Sequence, residues 1–339
     1  MIKVFVNKSP LETAHSTRGI GLYTKELTTA LKENKNIQLV DDVTNADIIH
    51  HPFFDLFFPT LPEPHKKIPT VVTVHDVIPL IYPNQYKPGV RGRIRFLRQK
   101  ERLRKVNALL TDSETSKKDI VRLLSIPAEK IFVTHLAPAS HFRQLTAGNW
   151  ELETKKHYDL PEHFVLYVGD VNYNKNIGGL LQAVSLLDKT NVVMVGKAFQ
   201  TNIPEARQIT EQIRNLKLEK RVTMPGFVPN DDLVKLYNLA TAVCQPSLYE
   251  GFGLPILEAQ ACETPVVANK TQALVEIAGN SVLFAGNKPN DLAQKLKNLL
   301  TDTKLQTALR KRGRENIKRF SWQKTARKTL KVYEKVLGI

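Results

Sequence analysis

Short apolar runs of strand length alternate along the chain with stretches in which apolar residues recur every three or four positions. This is the pattern of βα units, whose parallel strands are buried on both faces and are joined by helical crossovers. In the first half it predicts strands at 2–7, 47–50, 70–74, 108–111 and 131–135, with helices such as 22–31 and 116–124 between them. In the second half it predicts strands at 164–168, 192–195, 222–224, 242–244, 266–268 and 282–284. Ile177, Leu180, Leu181, Val184 and Leu187 put one apolar stripe on a helix beginning just after Lys175. Ala326, Leu330, Tyr333 and Leu337 are spaced for a last amphipathic helix over 322–337.

The two βα series are separated by a charged, weakly periodic stretch, 144–161, that contains Gly148 and Asn149. A length of 339 residues suits two domains of about 150 residues each. The expected fold is therefore α/β: a Rossmann-like domain over 1–150, a second over 160–320, and a terminal helix over 321–339, with a cleft between the parallel sheets. The chain is 42% hydrophobic and 24% charged, which excludes disorder. Cys244 and Cys262 each lie in an apolar stretch, so neither a disulfide framework nor a cysteine metal site is expected. Met1–Val6 runs straight into a strand with no signal-peptide pattern, and no apolar run reaches about 18 residues. A cytoplasmic protein is the expectation.

The most informative segment is Pro246-Ser-Leu-Tyr-Glu-Gly-Phe-Gly-Leu-Pro-Ile-Leu-Glu258. Pro255 suits the first turn of a helix, so Glu250, Gly251, Phe252, Gly253 and Leu254 form a loop aimed at a helix start, whose free N–H groups favour an anion such as a diphosphate. Glu258 falls about one turn inside that helix, and the two carboxylates can accept hydrogen bonds from two parts of one elongated, hydroxyl-rich ligand. Val165–Asn176 repeats the strand, loop and helix order and puts Asn172 and Lys175 in its loop, where an ammonium meets a diphosphate as a point charge. Arg18, Gly19, Ile20 and Gly21 join the first strand to the first helix, and glycine there permits close backbone approach, although the third glycine and downstream acid of a dinucleotide fingerprint are absent. His75 ends a buried strand, Val71–Val74, at the edge where open α/β sheets bind ligands.

In this order the segments resemble the retaining family 4 glycosyltransferases, which have the two-domain GT-B fold. The resemblance spans nearly the whole chain through RGIGLYTKEL, TVVTVHDVIPLIYP, TDSETSKKDI, LYVGDVNYNKNIGGLLQAV, GFVPNDDLVKLYNLA, PSLYEGFGLPILEAQACETPVV and RFSW. It implies that Glu250 contacts the transferred sugar and Glu258 the ribose, that Lys175 and the amides near Gly253 neutralise the diphosphate, and that Phe227 and Val228 lie near the base. It also implies that Gly19 and Gly21 approach the donor, that His75 binds the sugar near its anomeric carbon, and that the terminal helix crosses back to the first domain. Retention implies attack on the leaving-group face, with the diphosphate itself as proton acceptor. Asp170 and Asn172 stand where an arginine is common in the family, and Glu263 where glycine is frequent. No Asp-x-Asp motif lies near the site, so no metal and no cofactor beyond the nucleotide-sugar substrate is expected.

Bacterial mannosyltransferases of surface polysaccharide assembly match the overall pattern best, which makes a hexose the expected cargo, GDP-mannose the first donor, and a glycan or lipid-linked molecule the acceptor. The formal charge of +16 means attraction to something anionic, whether nucleic acid, anionic lipid headgroups or a phosphorylated substrate. Residues 87–105 form a basic amphipathic helix with Arg91, Arg95 and Arg98 among its cations, next to an aromatic loop that begins Phe53-Phe54. Together they suggest contact with an anionic membrane surface at the inner face of the cell membrane. Nucleic acid is not expected, because no binding module is present and the aromatics do not line a basic groove. The alternatives are a sugar-nucleotide epimerase of similar architecture and a non-catalytic nucleotide-sugar binding protein.

Overall fold

The computed structural model describes residues 1–12 and 19–339; Arg18 of the first glycine segment lies outside the described residues. The chain divides into two compact units, Met1–Ala137 with Phe320–Ile339, and Pro138–Arg319.

The first unit is built on strands β1 (Ile2–Val6), β2 (Ile37–Val40), β3 (Ile48–His51), β4 (Thr70–Thr73), β5 (Ala108–Thr111) and β6 (Ile131–Val133). They form one sheet in the order β2-β1-β3-β4-β5-β6, every pairing parallel. Each residue of β3, β4 and β5 is buried, as expected for parallel strands covered on both faces. The edge strand β2 is absent from the hydrophobic pattern because only its first residue, Ile37, is buried. The terminal helix Trp322–Leu337 belongs to this unit and packs on the Gly19–Lys32 helix. Two bonds fix it to the sheet: His50 Nδ1 lies 2.6 Å from the Tyr333 hydroxyl, and Thr325 Oγ1 donates to the His135 carbonyl at 2.6 Å.

The second unit contains β7 (Phe164–Val168), β8 (Asn191–Val195), β9 (Val222–Gly226), β10 (Ala242–Gln245), β11 (Val266–Asn269) and β12 (Leu283–Ala285), again all parallel. Their order, β12-β11-β10-β7-β8-β9, is that of a dinucleotide-binding sheet, with the connection reversing direction between β7 and β10. Ile177, Leu180, Leu181, Val184 and Leu187 all lie in its core.

The division falls at Ala137, ahead of the 144–161 stretch. Residues 138–158 fold with the second unit because polar and aromatic groups anchor them to the Asn230–Leu239 helix. Asn238 accepts from Leu145 N at 2.8 Å and donates to Arg143 O at 3.0 Å, Tyr158 donates to Asp232 at 2.7 Å, and Phe142 meets Tyr237 edge-on.

Candidate active site

Ligands of open α/β sheets bind at the carboxyl ends of the strands where the order reverses, which in this sheet lies between β7 and β10. Loops 169–176 and 246–253 both emerge there and are laced together. Asn174 donates to Tyr249 O at 3.0 Å and accepts from Leu248 N at 2.7 Å, while Asn176 and Asn269 both donate to Pro246 O, at 3.0 and 2.6 Å. On the adjoining strands the loops close up without side chains: a Cβ on Gly196 would stand 2.1 Å from Gly169 O.

The lacing sets Lys175 against Glu250, with Nζ 2.8 Å from Oε1 and 3.0 Å from Oε2. Oε1 also accepts from Gln245 Nε2 at 2.7 Å and Ser247 Oγ at 2.6 Å, so donors crowd one oxygen and leave Oε2 the less engaged of the two. Gly251, Phe252 and Gly253 are buried, and Leu254 opens the Leu254–Ala261 helix. No side chain caps that helix; Pro255 in its first turn has no N–H and the Ile256 N–H donates to Gly253 O at 3.1 Å, so of the first three residues only Leu254 keeps an N–H with no partner inside the helix. Gly253 is required at this junction, since its φ is 112° and a Cβ would meet Leu274 Cδ2 at 2.5 Å.

Glu258 is placed differently. It is buried inside the helix, where its Oε2 accepts from the Tyr237 hydroxyl at 2.7 Å. Burial pushes its carboxyl up to about 7, against a smaller downward pull from the Tyr237 bond. The structure thus brings Lys175 and Glu250 into one pair and gives Glu258 a separate partner. Asn172 is exposed on the β7 loop, Phe227 is exposed just beyond β9, and Val228 beside it is buried. A separate hollow of about 520 Å³, lined in part by Trp150, Asn238, Cys262 and Arg310, contains none of the expected donor residues.

In the first unit Gly19 is exposed at the start of its helix, while Gly21 is buried in the first turn, inside the helix and not in a loop. His75 follows β4, with Nδ1 2.8 Å from Asp112 Oδ2 and Nε2 3.2 Å from Pro52 O. The aromatic loop is split between interior and surface. Phe54 lies in the core with Leu56 and Val72 and cannot serve as a surface contact; Phe53 is half-buried, and Phe58 is 61% exposed. Arg91, Arg95 and Arg98 are exposed on the Val90–Lys105 helix.

A model described as glycosyl transferases group 1 matches residues 149–316, and one described as glycosyltransferase family 4 matches residues 13–137. O-antigen chain mannosyltransferase B of Escherichia coli is 31% identical over 85% of this chain and 74% of its own length. The chain belongs to the family 4 glycosyltransferases. Serotype-specific mannosyltransferase WbdA of Escherichia coli is 25% identical over 84% of this family 4 chain, which spans only 35% of that relative. Among solved structures, sucrose-phosphate synthase from Thermosynechococcus elongatus superposes with a TM-score of 0.78 at 18% identity, covering 99% of both chains. Anabaena HepE, solved with UDP and glucose, gives 0.76 at 16% identity over 98% of this chain and 99% of its own. These likenesses carry the GT-B fold, and family membership favours glycosyl transfer over epimerisation or silent binding.

The sequence reading of this family 4 glycosyltransferase passed over Gln245, Ser247, Asn174, Tyr237 and Asp112. Gln245 and Asp112 had a usable signal, a polar residue ending or following an apolar strand, which is the argument that selected His75.

Proposed function

We propose that the chain transfers a hexose, with mannose from GDP-mannose as first choice, to a glycan or lipid-linked acceptor, with retention and without a metal. The observation that carries this reading is the Lys175–Glu250 pair at the carboxyl ends of β7 and β10, beside an uncapped helix start. A glycosyl transition state resembles an oxocarbenium ion, so the protein's task is to stabilise the departing diphosphate and orient both sugars. Lys175 and the helix amides supply positive potential for the diphosphate, Glu250 Oε2 accepts from a sugar hydroxyl, and Glu258 accepts from the ribose. His75, Phe227 and Val228 complete the donor contacts in this reading. The mannosyltransferase relatives support the choice of sugar.

A membrane-facing role for the first unit has its own support. Val90, Ile94 and Leu97 are 77%, 48% and 63% exposed on one stripe of the Val90–Lys105 helix, flanked by exposed Arg91, Arg93, Arg95 and Arg98. Apolar residues bordered by arginines fit an anionic bilayer, as a peripheral protein at its inner face would need. Among the described residues no helix is long and apolar enough to cross a membrane.

The test begins with thermal shifts against GDP-, UDP- and ADP-sugars, since a ligand of the native state raises its melting temperature. The selected donor is then incubated with acceptor in EDTA. Transfer with the donor's anomeric configuration kept supports the reading; inversion, loss of activity in EDTA, or isomerisation of the donor without an acceptor overturns the corresponding part. Sedimentation with phosphatidylglycerol vesicles but not phosphatidylcholine vesicles tests the membrane face.

A further inference from the structure

His75 stands among groups that only accept. Its Nδ1 faces a carboxylate oxygen of Asp112 at 2.8 Å, and its Nε2 faces the Pro52 carbonyl at 3.2 Å. A neutral imidazole has one N–H and leaves its other nitrogen as an acceptor, so it can satisfy only one of these neighbours; the imidazolium satisfies both. The carboxyl ends of three adjacent strands build the arrangement: Pro52 follows β3, His75 follows β4 and Asp112 follows β5. The Tyr23 ring packs edge-on against the imidazole, with centroids 4.7 Å apart. Tyr23 is itself held through a hydrogen bond to Thr73, which also contacts His50, which in turn contacts Tyr333 of the terminal helix.

We propose that Asp112 is a positioning residue that holds His75 as a cation donating from both ring nitrogens, so that His75 offers a positive hydrogen-bond donor to a ligand oxygen and does not act as a base. The side chain of Asp112 is 4% exposed and that of His75 is 16% exposed, so the carboxylate is sealed in while the imidazole keeps an open face. The Nε2 contact to Pro52 is longer than the 2.7–2.9 Å usual for a charge-assisted bond, and that proton is available to a better acceptor such as a sugar or phosphate oxygen.

Among the described residues, the titratable groups around His75 are Asp112 from the end of β5, Asp76 beside it, His50 from β3 and Tyr23 from the Gly19–Lys32 helix. Burial alone would lower its pKa. The charge and hydrogen bond of Asp112, with smaller help from Asp76 and Pro52, outweigh burial and leave it above the ordinary imidazole value. His50 contributes no competing charge, because burial takes its own pKa down to about 3.

The identity of the ligand oxygen rests on the transferase reading; the protonation state does not. The experiment is a pH series of two-bond ¹H–¹⁵N correlation spectra of the histidine rings in the full chain, with His75→Gln identifying the signal. The expected wild-type result is a ring protonated on both nitrogens at pH 6.5 that titrates above that value. Asp112→Asn keeps an oxygen acceptor but removes the charge, and lowers the titration by about one pH unit or more. A singly protonated wild-type ring at pH 6.5, or a titration unchanged in Asp112→Asn, overturns the proposal. If Asp112→Asn does not fold, the wild-type series decides alone. Where transfer is measurable, the alkaline limb of kcat/KM moves down with the same substitution, and an unmoved limb is evidence against. The spectra need no substrate, so a chain that transfers nothing refutes the proposed function without touching this result, and a neutral His75 in an active enzyme refutes only this one.

Discussion

Glu250 and Glu258 come from a single loop and helix, and both are buried, yet they sit in contrasting surroundings. Glu250 faces an ammonium, an amide and a hydroxyl, all donors to its carboxylate. Glu258 faces one phenol, and burial raises its carboxyl to about 7. Burial of a carboxylate is therefore not one condition but two. Glu250 has a cation and two further donors within hydrogen-bonding distance, whereas Glu258 has a single neutral donor and is pushed by burial toward the protonated form. The first arrangement suits a group that stays fixed while a ligand's charge changes nearby, and the second suits a group whose hydrogen bonding responds to pH and to the arrival of hydroxyl donors.

Removing the cation should break this contrast most strongly. Lys175→Met leaves Glu250 buried without its charge partner and is expected to cost about 3–5 kcal/mol in urea denaturation. It should also lower transfer by about 100-fold or more. The double variant Lys175→Met/Glu250→Gln should regain most of the stability and none of the transfer. A single variant as stable as wild type would show that the pair is not a buried unit.

Glu258→Gln tests the other side. At pH values below 4.5 the acid is neutral in the folded and the unfolded chain, and the substitution should change little. Between 4.5 and about 7 the unfolded chain releases this proton while the folded chain retains it, so the wild type loses stability relative to the variant as pH rises. Above about 7 the difference levels off at on the order of 3 kcal/mol in favour of the variant. Denaturation midpoints at pH 5 and pH 8 measure it, and a constant difference would show that Glu258 is not perturbed.

The smallest effect is expected from Tyr237→Phe. It removes the one hydroxyl that lowers the Glu258 pKa, so that pKa rises further and stability at pH 8 falls by about 1 kcal/mol. Glu258→Gln should mask this loss, because a neutral amide does not depend on the phenol in the same way.

The βα alternation, the strands of the second sheet, the core stripe from Ile177 to Leu187 and the terminal helix were legible because buried parallel strands and amphipathic helices write their periods directly into the apolar residues. The half-exposed edge strand at Ile37–Val40 has no such run to write. The unit division was displaced for a related reason: Leu145 and Tyr158 are held to the second unit by single polar bonds, and these leave no period in sequence. Loop position singled out Lys175 and Glu250 in the second unit and His75 in the first, but which acid receives the ammonium is decided by the Asn174 and Asn176 lacing. Phe54 misled as a surface residue because an aromatic run does not reveal which of its members turns inward.

The central claim is that Lys175 meets the diphosphate of a nucleotide-sugar. Isothermal titration of the nucleoside diphosphate selected by the thermal panel, and of its unphosphorylated nucleoside, into wild type and Lys175→Met tests it most directly. The account predicts that the diphosphate loses at least about tenfold in affinity, some 1.4 kcal/mol, while the nucleoside is unaffected. Equal losses for both ligands, or no loss for either, would contradict it.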